Sequence, residues 1–109
     1  MESKKRYKIV VFVPEEYGDK LREAMGNAGA GRIGNYSHCF STTKSYGTFK
    51  PLVGANPVVG EVGKMEKVKE DRIETVCEPV KLDNVIKAIK ETHPYEEPAV
   101  DVYLIEVFE

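Results

Sequence analysis

Tyr7-Lys8-Ile9-Val10-Val11-Phe12-Val13 is rich in β-branched and aromatic residues and apolar on both faces, the pattern of an interior strand. Pro14 suits the first turn of a helix, and Glu15 and Glu16 complement its positive end. Tyr17, Leu21, Ala24, Met25 and Ala28 then recur at helical spacing, so this helix predicts one apolar face laid on a sheet. Gly29-Ala30-Gly31 stops it. A short alternating piece, Asn35 to Ser41, with Tyr36, His38 and Phe40 on one face, predicts a second strand. From Val68 to Glu78, Ile73, Thr75 and Cys77 alternate with Arg72, Glu74 and Val76, which predicts a third. Pro79 breaks it. Leu82, Val85, Ile86 and Ile89 mark a second amphipathic helix, with Lys81, Lys87 and Lys90 outward, ended by Pro94. Val100 to Phe108 closes the chain as a strand.

Between the two halves lies a long interval, from about 41 to 64. All of the nine glycines except Gly18 fall between Gly26 and Gly63, with Pro51 and Pro57 among them. Glycine supplies positive φ and close backbone approach, so this interval reads as an irregular excursion, with a short hairpin arm around Thr48-Phe49-Lys50. A loop this long in a compact domain is more often functional than not. The order β-α-β, excursion, β-α-β is that of an α+β, ferredoxin-like βαββαβ fold. It implies an antiparallel sheet with both helices on one face, in a single domain spanning 1–109. The first and last strands read as its centre. Val10, Phe12, Tyr103, Ile105 and Val107 would then leave apolar residues on the open face, which predicts an oligomer.

Composition narrows the function classes. The 41% apolar fraction of this 109-residue chain suffices for a core. No apolar run approaches the roughly 18 residues of a membrane span. The charged start Met1-Glu2-Ser3-Lys4-Lys5-Arg6 lacks the apolar segment of a signal peptide, so a cytoplasmic location is expected. A net charge of −2 argues against a nucleic-acid partner. Cys39 and Cys77 stand apart and read as small apolar residues.

Chemistry concentrates in connections. His93-Pro94-Tyr95-Glu96-Glu97-Pro98 holds an imidazole, a phenol and two carboxylates in a stiff turn between prolines. Three readings stand side by side: His93 caps the second helix while Tyr95 packs in the core; the turn contacts a ligand or partner; or His93 and Glu97, with Glu96, ligate a divalent ion. Gly29 to His38 forms the second constellation. Gly31, Arg32, Gly34, Asn35, Tyr36 and Ser37 could cradle an anion through backbone N–H groups. However, the stretch follows a helix and precedes a strand, the reverse of a dinucleotide or P-loop context, so it reads as neither motif and more simply as a tight helix-to-strand connection. His38, inside the predicted strand, would join a metal site only if the fold or an oligomer contact brings it to His93. Spacing alone specifies no Ser-His-Asp or Cys-His set.

Taken with Gly47-Thr48-Phe49-Lys50-Pro51, Gly54-Ala55-Asn56-Pro57 and Gly60-Glu61-Val62-Gly63, these stretches resemble the insert domain of YqfO-type (NGG-interacting-factor-three-like) dinuclear-metal-centre proteins. The likeness runs from about Tyr7 to Ile105. That insert in turn resembles the CutA and PII signalling proteins, ferredoxin-like subunits that assemble as trimers. The turn His93, Pro94, Tyr95, Glu96 and Pro98 is similar to the corresponding CutA turn. The resemblance implies a free-standing, non-enzymatic trimeric module that binds a small ligand or a protein partner. It also implies a cleft between subunits lined by Gly31, Arg32, Gly34, Asn35, Tyr36, Ser37, Phe49, Asn56, Tyr95 and Glu96. The alternative is a CutA-type protein that binds a divalent metal ion, its one candidate cofactor, through His93, Glu97 and His38. A weaker alternative is a hydrolase-associated subunit, for which this chain shows no complete catalytic set.

Overall fold

The computed structural model describes the whole chain, Met1–Glu109. Its elements are strand β1 (Ser3–Pro14), helix α1 (Gly18–Asn27), strands β2 (Ser41–Phe49) and β3 (Glu66–Cys77), helix α2 (Leu82–Thr92) and strand β4 (Val100–Phe108). A single 3-10 turn leads into each helix. The strands form one antiparallel sheet in the order β2-β3-β1-β4. This is the expected ferredoxin-like topology. The central pair is β1 and β3, however, and β4 lies at an edge.

One face of the sheet carries the core. Ile9, Val11 and Val13 of β1 and Ile73 and Cys77 of β3 meet Leu21 and Met25 of α1 and Val85 and Ile89 of α2. Side chains alternate across a strand, so Val10, Phe12, Glu70, Arg72, Glu74, Tyr103, Ile105 and Val107 share the other face, which no helix covers.

The second strand departs most from its prediction. It runs Ser41–Phe49 and pairs with β3 from Ser41 opposite Glu74 to Phe49 opposite Glu66. The residues predicted as a strand form a turn-rich connection instead. Ile33 and Tyr36 exchange backbone hydrogen bonds at 2.9 Å across a tight turn, and His38 has φ +56°. The pattern misled because β2 is a largely exposed edge strand, polar on both faces, with no apolar alternation to reveal it. The excursion therefore shortens to residues 50–65.

β1 pairs with β3 only as far as Pro14 opposite Glu70, so the outer ends of β2 and β3 project as a two-stranded arm. Its effect is measurable. The radius of gyration is 15.1 Å, against about 13 Å for a compact chain of this length.

Asp71 locks the arm to the helical layer. It faces the helices and is wholly buried. Lys44 of β2 donates to Oδ1 at 2.6 Å, and Arg22 of α1 donates to Oδ2 at 3.2 Å. Arg22 also donates to Thr42 Oγ1 at 3.1 Å. Burial alone would push the Asp71 carboxyl up, but the bonds from Lys44 and Arg22 outweigh it and hold the group below the usual carboxylate range. A depressed carboxyl stabilises the fold above its ordinary pKa and loses that contribution as pH falls through its folded value. Asp71→Asn should therefore cost about 2–3 kcal/mol at pH 7 and much less near pH 3, read by urea unfolding at both. Equal stability of variant and wild type at pH 7 would contradict this linkage.

Candidate functional site: a cleft between the excursion and the proline-flanked turn

The turn after α2 is held by an imidazole. His93 is 6% exposed, and its backbone N–H donates to Ile89 O at 2.8 Å to close the helix. Its side chain then crosses to the neighbouring strand, where Nε2 lies 2.7 Å from Phe12 O. Tyr95 N–H donates to Nδ1 at 3.1 Å. A backbone N–H can only donate, so Nδ1 carries no proton and Nε2–H donates to Phe12. Desolvation lowers the imidazole pKa, and the bond to Phe12 O only partly offsets it. His93 is thus a neutral clasp with both nitrogens in use.

This clasp aims the next residues. Tyr95 packs edge-on against Phe49 at the end of β2, ring centroids 5.6 Å apart. Glu96 reaches the excursion, where Asn56 N–H donates to its Oε1 at 2.9 Å. Excursion, strand end and turn together enclose a cleft of about 470 Å³ against the open sheet face. Phe12 and Phe49 supply aromatic walls, Leu52, Val58 and Val59 an apolar roof, and Tyr95, Glu96 and Glu97 one side.

Glu70 forms the floor, and sequence reasoning missed it. It is 7% exposed, accepts no hydrogen bond and has no ion pair. Desolvation pushes its carboxyl above the usual range. The carboxylate lies over Gly47, where any Cβ would collide with it, so glycine there is a packing requirement. The buried Tyr95 hydroxyl also has no partner. Burial raises the phenol pKa, and the charges of Glu70, Glu16 and Glu66 add to that. A signal existed in Lys69-Glu70-Asp71-Arg72, since alternation along a strand must send charge to both faces, the buried one included.

The predicted site residues divide into two groups. Phe49, Tyr95, Glu96 and Glu97 line this cleft, and Asn56 adjoins it through its N–H bond to Glu96. Gly31, Arg32, Gly34, Asn35, Tyr36, Ser37 and His38 lie beyond α1 at the opposite end of the antiparallel helical layer, and line neither of the two main cavities. There, Arg32 Nε donates to Gly34 O at 2.8 Å. The His38 ring covers Gly26, its Nε2 3.2 Å from Asn27 Oδ1 and its Nδ1 3.0 Å from Ser37 Oγ. This stretch is a self-bonded connection and does not join the cleft. Within one chain the fold does not bring His93, Glu97 and His38 together. His38 is remote, His93 has no free nitrogen, and no three His, Cys, Asp or Glu side chains converge anywhere.

No protein-family model matches the chain. Curated relatives include proteins named GTP cyclohydrolase 1 type 2 homolog. That of Halalkalibacterium halodurans is 52% identical over 97 residues, covering 89% of this chain and 26% of the relative. That of Bacillus subtilis is 52% identical over 99 residues, covering 91% and 26%. The chain thus spans about a quarter of the length of the curated relatives it matches. Among solved structures, a Bacillus cereus protein related to NIF3 superposes with a TM-score of 0.81 at 44% identity, over 96% of this chain and 27% of that one. CutA1 from Oryza sativa shares the fold at 17% identity, with a TM-score of 0.66 over 96% and 84% of the two chains.

His93→Ala removes both side-chain hydrogen bonds and leaves a void, so it should cost about 2–4 kcal/mol. Because the folded pKa is lowered, wild-type stability should fall as pH drops through the ordinary imidazole range, and the variant should lose that dependence. Denaturation between pH 5 and pH 8 tests both points; a flat wild-type profile would remove the neutral-clasp assignment. The chain is similar along nearly its whole length to one segment of NIF3-related proteins, on a fold shared with CutA.

Proposed function

We propose that the chain is a non-enzymatic, small-ligand-binding regulatory module that works as a homotrimer, with its ligand in the Phe49–Glu70–Tyr95 cleft. The observation that carries this reading is the cleft itself. Its volume lies within the range of small-molecule sites, its walls are apolar, and a few polar groups converge on it without partners of their own. The residues that resemble the YqfO-type insert around Phe49, Asn56 and Tyr95 are the ones that form it.

Surface area supports assembly. The chain exposes 7040 Å², whereas a compact monomer of 12.2 kDa exposes about 6,100 Å². Part of the excess is apolar. Edge strand β4 leaves Val102, Tyr103, Leu104 and Phe108 exposed, together with an unpaired row of backbone groups. A neighbouring subunit on this edge and on the open face would cover them. Trimers are the assembly implied by the CutA-like and PII-like resemblance.

Enzymatic activity is not part of the proposal. The name of the curated relatives describes proteins some four times as long as the matching segment. The one serine–histidine contact, Ser37 with His38, lies on the surface away from the cleft.

Sedimentation equilibrium at micromolar concentration should give three times the chain mass, and Leu104→Lys should shift the protein towards monomer. Native mass spectrometry of the gently purified trimer should show a bound small molecule that Phe49→Ala loses. A stable wild-type monomer would refute the trimeric reading. A wild-type trimer with no mass beyond its three chains, or one whose excess mass survives Phe49→Ala, would refute the cleft.

A further inference from the structure

Glu70 and Asp71 are adjacent in β3, and their environments are opposite. Asp71 faces the helices and receives both Lys44 and Arg22. Glu70 faces the cleft and receives nothing. Most of the cations nearby are committed elsewhere. Lys44, Lys67 and Lys69 point to the other sheet face by alternation along β2 and β3. Arg72 pairs with Glu74 and stacks on Phe12, 6.0 Å from the ring centroid. Lys50 reaches the cleft rim but makes no ion pair with Glu70. A carboxylate this buried and unpaired is costly unless an occupant supplies a donor.

The other polar groups have the same bias. The Tyr95 hydroxyl is buried and unpartnered, and Glu97 lines the side of the cleft. Glu96 is held by Asn56 N–H and adds further negative charge. An anion would meet three carboxylates here against one rim lysine, Lys50, that pairs with none of them. Phe12 and Phe49 offer flat walls on which a planar group stacks, and aromatic faces also favour cations.

We infer that Glu70 is the recognition carboxylate of this cleft, and that its ligand is a small planar molecule presenting a cationic or amino N–H donor to Glu70 and Tyr95. This rests on the cleft being a ligand site, as proposed above, and adds the chemistry that the site selects. The ligand's apolar body would lie between Phe12 and Phe49 under the excursion. Its donor would point down to β3, where Gly47 leaves room for the carboxylate.

Three isosteric probes test it: benzamidine, benzamide and benzoate, which present a cation, a neutral amide and an anion on one ring. In an NMR titration of the full protein, benzamidine should shift the amides of Gly47, Phe49 and Tyr95 at millimolar concentration. Benzamide should bind more weakly, and benzoate should leave these amides unmoved. Glu70→Gln should weaken benzamidine roughly tenfold or more while leaving benzamide unchanged. In the wild type, benzamidine should also lower the Glu70 carboxyl pKa read by carbon-13 NMR, which needs no variant. Equal binding of all three probes in the cleft would overturn the assignment of Glu70 while leaving the ligand site intact. If no probe moves the cleft amides, both fall. An unchanged Glu70 titration with benzamidine bound would also overturn the inference.

Discussion

The cleft depends on the doubly hydrogen-bonded His93 imidazole. Two prolines stiffen the turn that follows α2, but stiffness alone does not decide where it points. The bond from Nε2–H to Phe12 O fixes the turn to a central strand, and the bond from Tyr95 N–H to Nδ1 fixes its direction. From those two contacts follow the packing of Tyr95 on Phe49 and the reach of Glu96 to Asn56. Without the clasp, the excursion would lose the surface against which it folds back. An imidazole suits this work because, when neutral, it donates at one nitrogen and accepts at the other. That use also takes it away from metal or acid–base chemistry.

Two consecutive carboxylates then divide the labour of β3. Asp71 holds sheet to helices because Lys44 and Arg22 offset its burial. Glu70 is also buried, on the other face, and no ion pair offsets it. One stabilises the fold, whereas the other makes sense as a group waiting for a donor. Gly47, over which the Glu70 carboxylate lies, ties this chemistry to the backbone of the arm.

The sequence reveals those elements whose burial imposes a period. β1 and α2 have such a pattern, and the β4 boundaries Val100–Phe108 agree with those expected. β2 has none. Ser41–Phe49 is an edge strand with polar residues on both sides, so only its pairing with β3 defines it. The cleft was half legible. Phe49, Asn56, Tyr95 and Glu96 stand out because prolines and glycines surround them. Glu70 sits inside a regular strand, where a charged residue reads as solvent-facing until the excursion is seen to cover it. Gly31 to His38 shows the opposite error. Glycines and polar side chains there satisfy one another within a turn, and the number of such residues says nothing about a site until their hydrogen bonds are assigned.

The central claim is that the Glu70 carboxylate faces a ligand and no group of the protein itself. A crystal structure of the assembled protein, purified without added ligand, tests this most directly. The account predicts three subunits around a three-fold axis, with density for a small molecule in the cleft and a donor within hydrogen-bond distance of Glu70. A lysine or arginine of a partner subunit seated on that carboxylate, with the cleft filled by protein side chains, would contradict it.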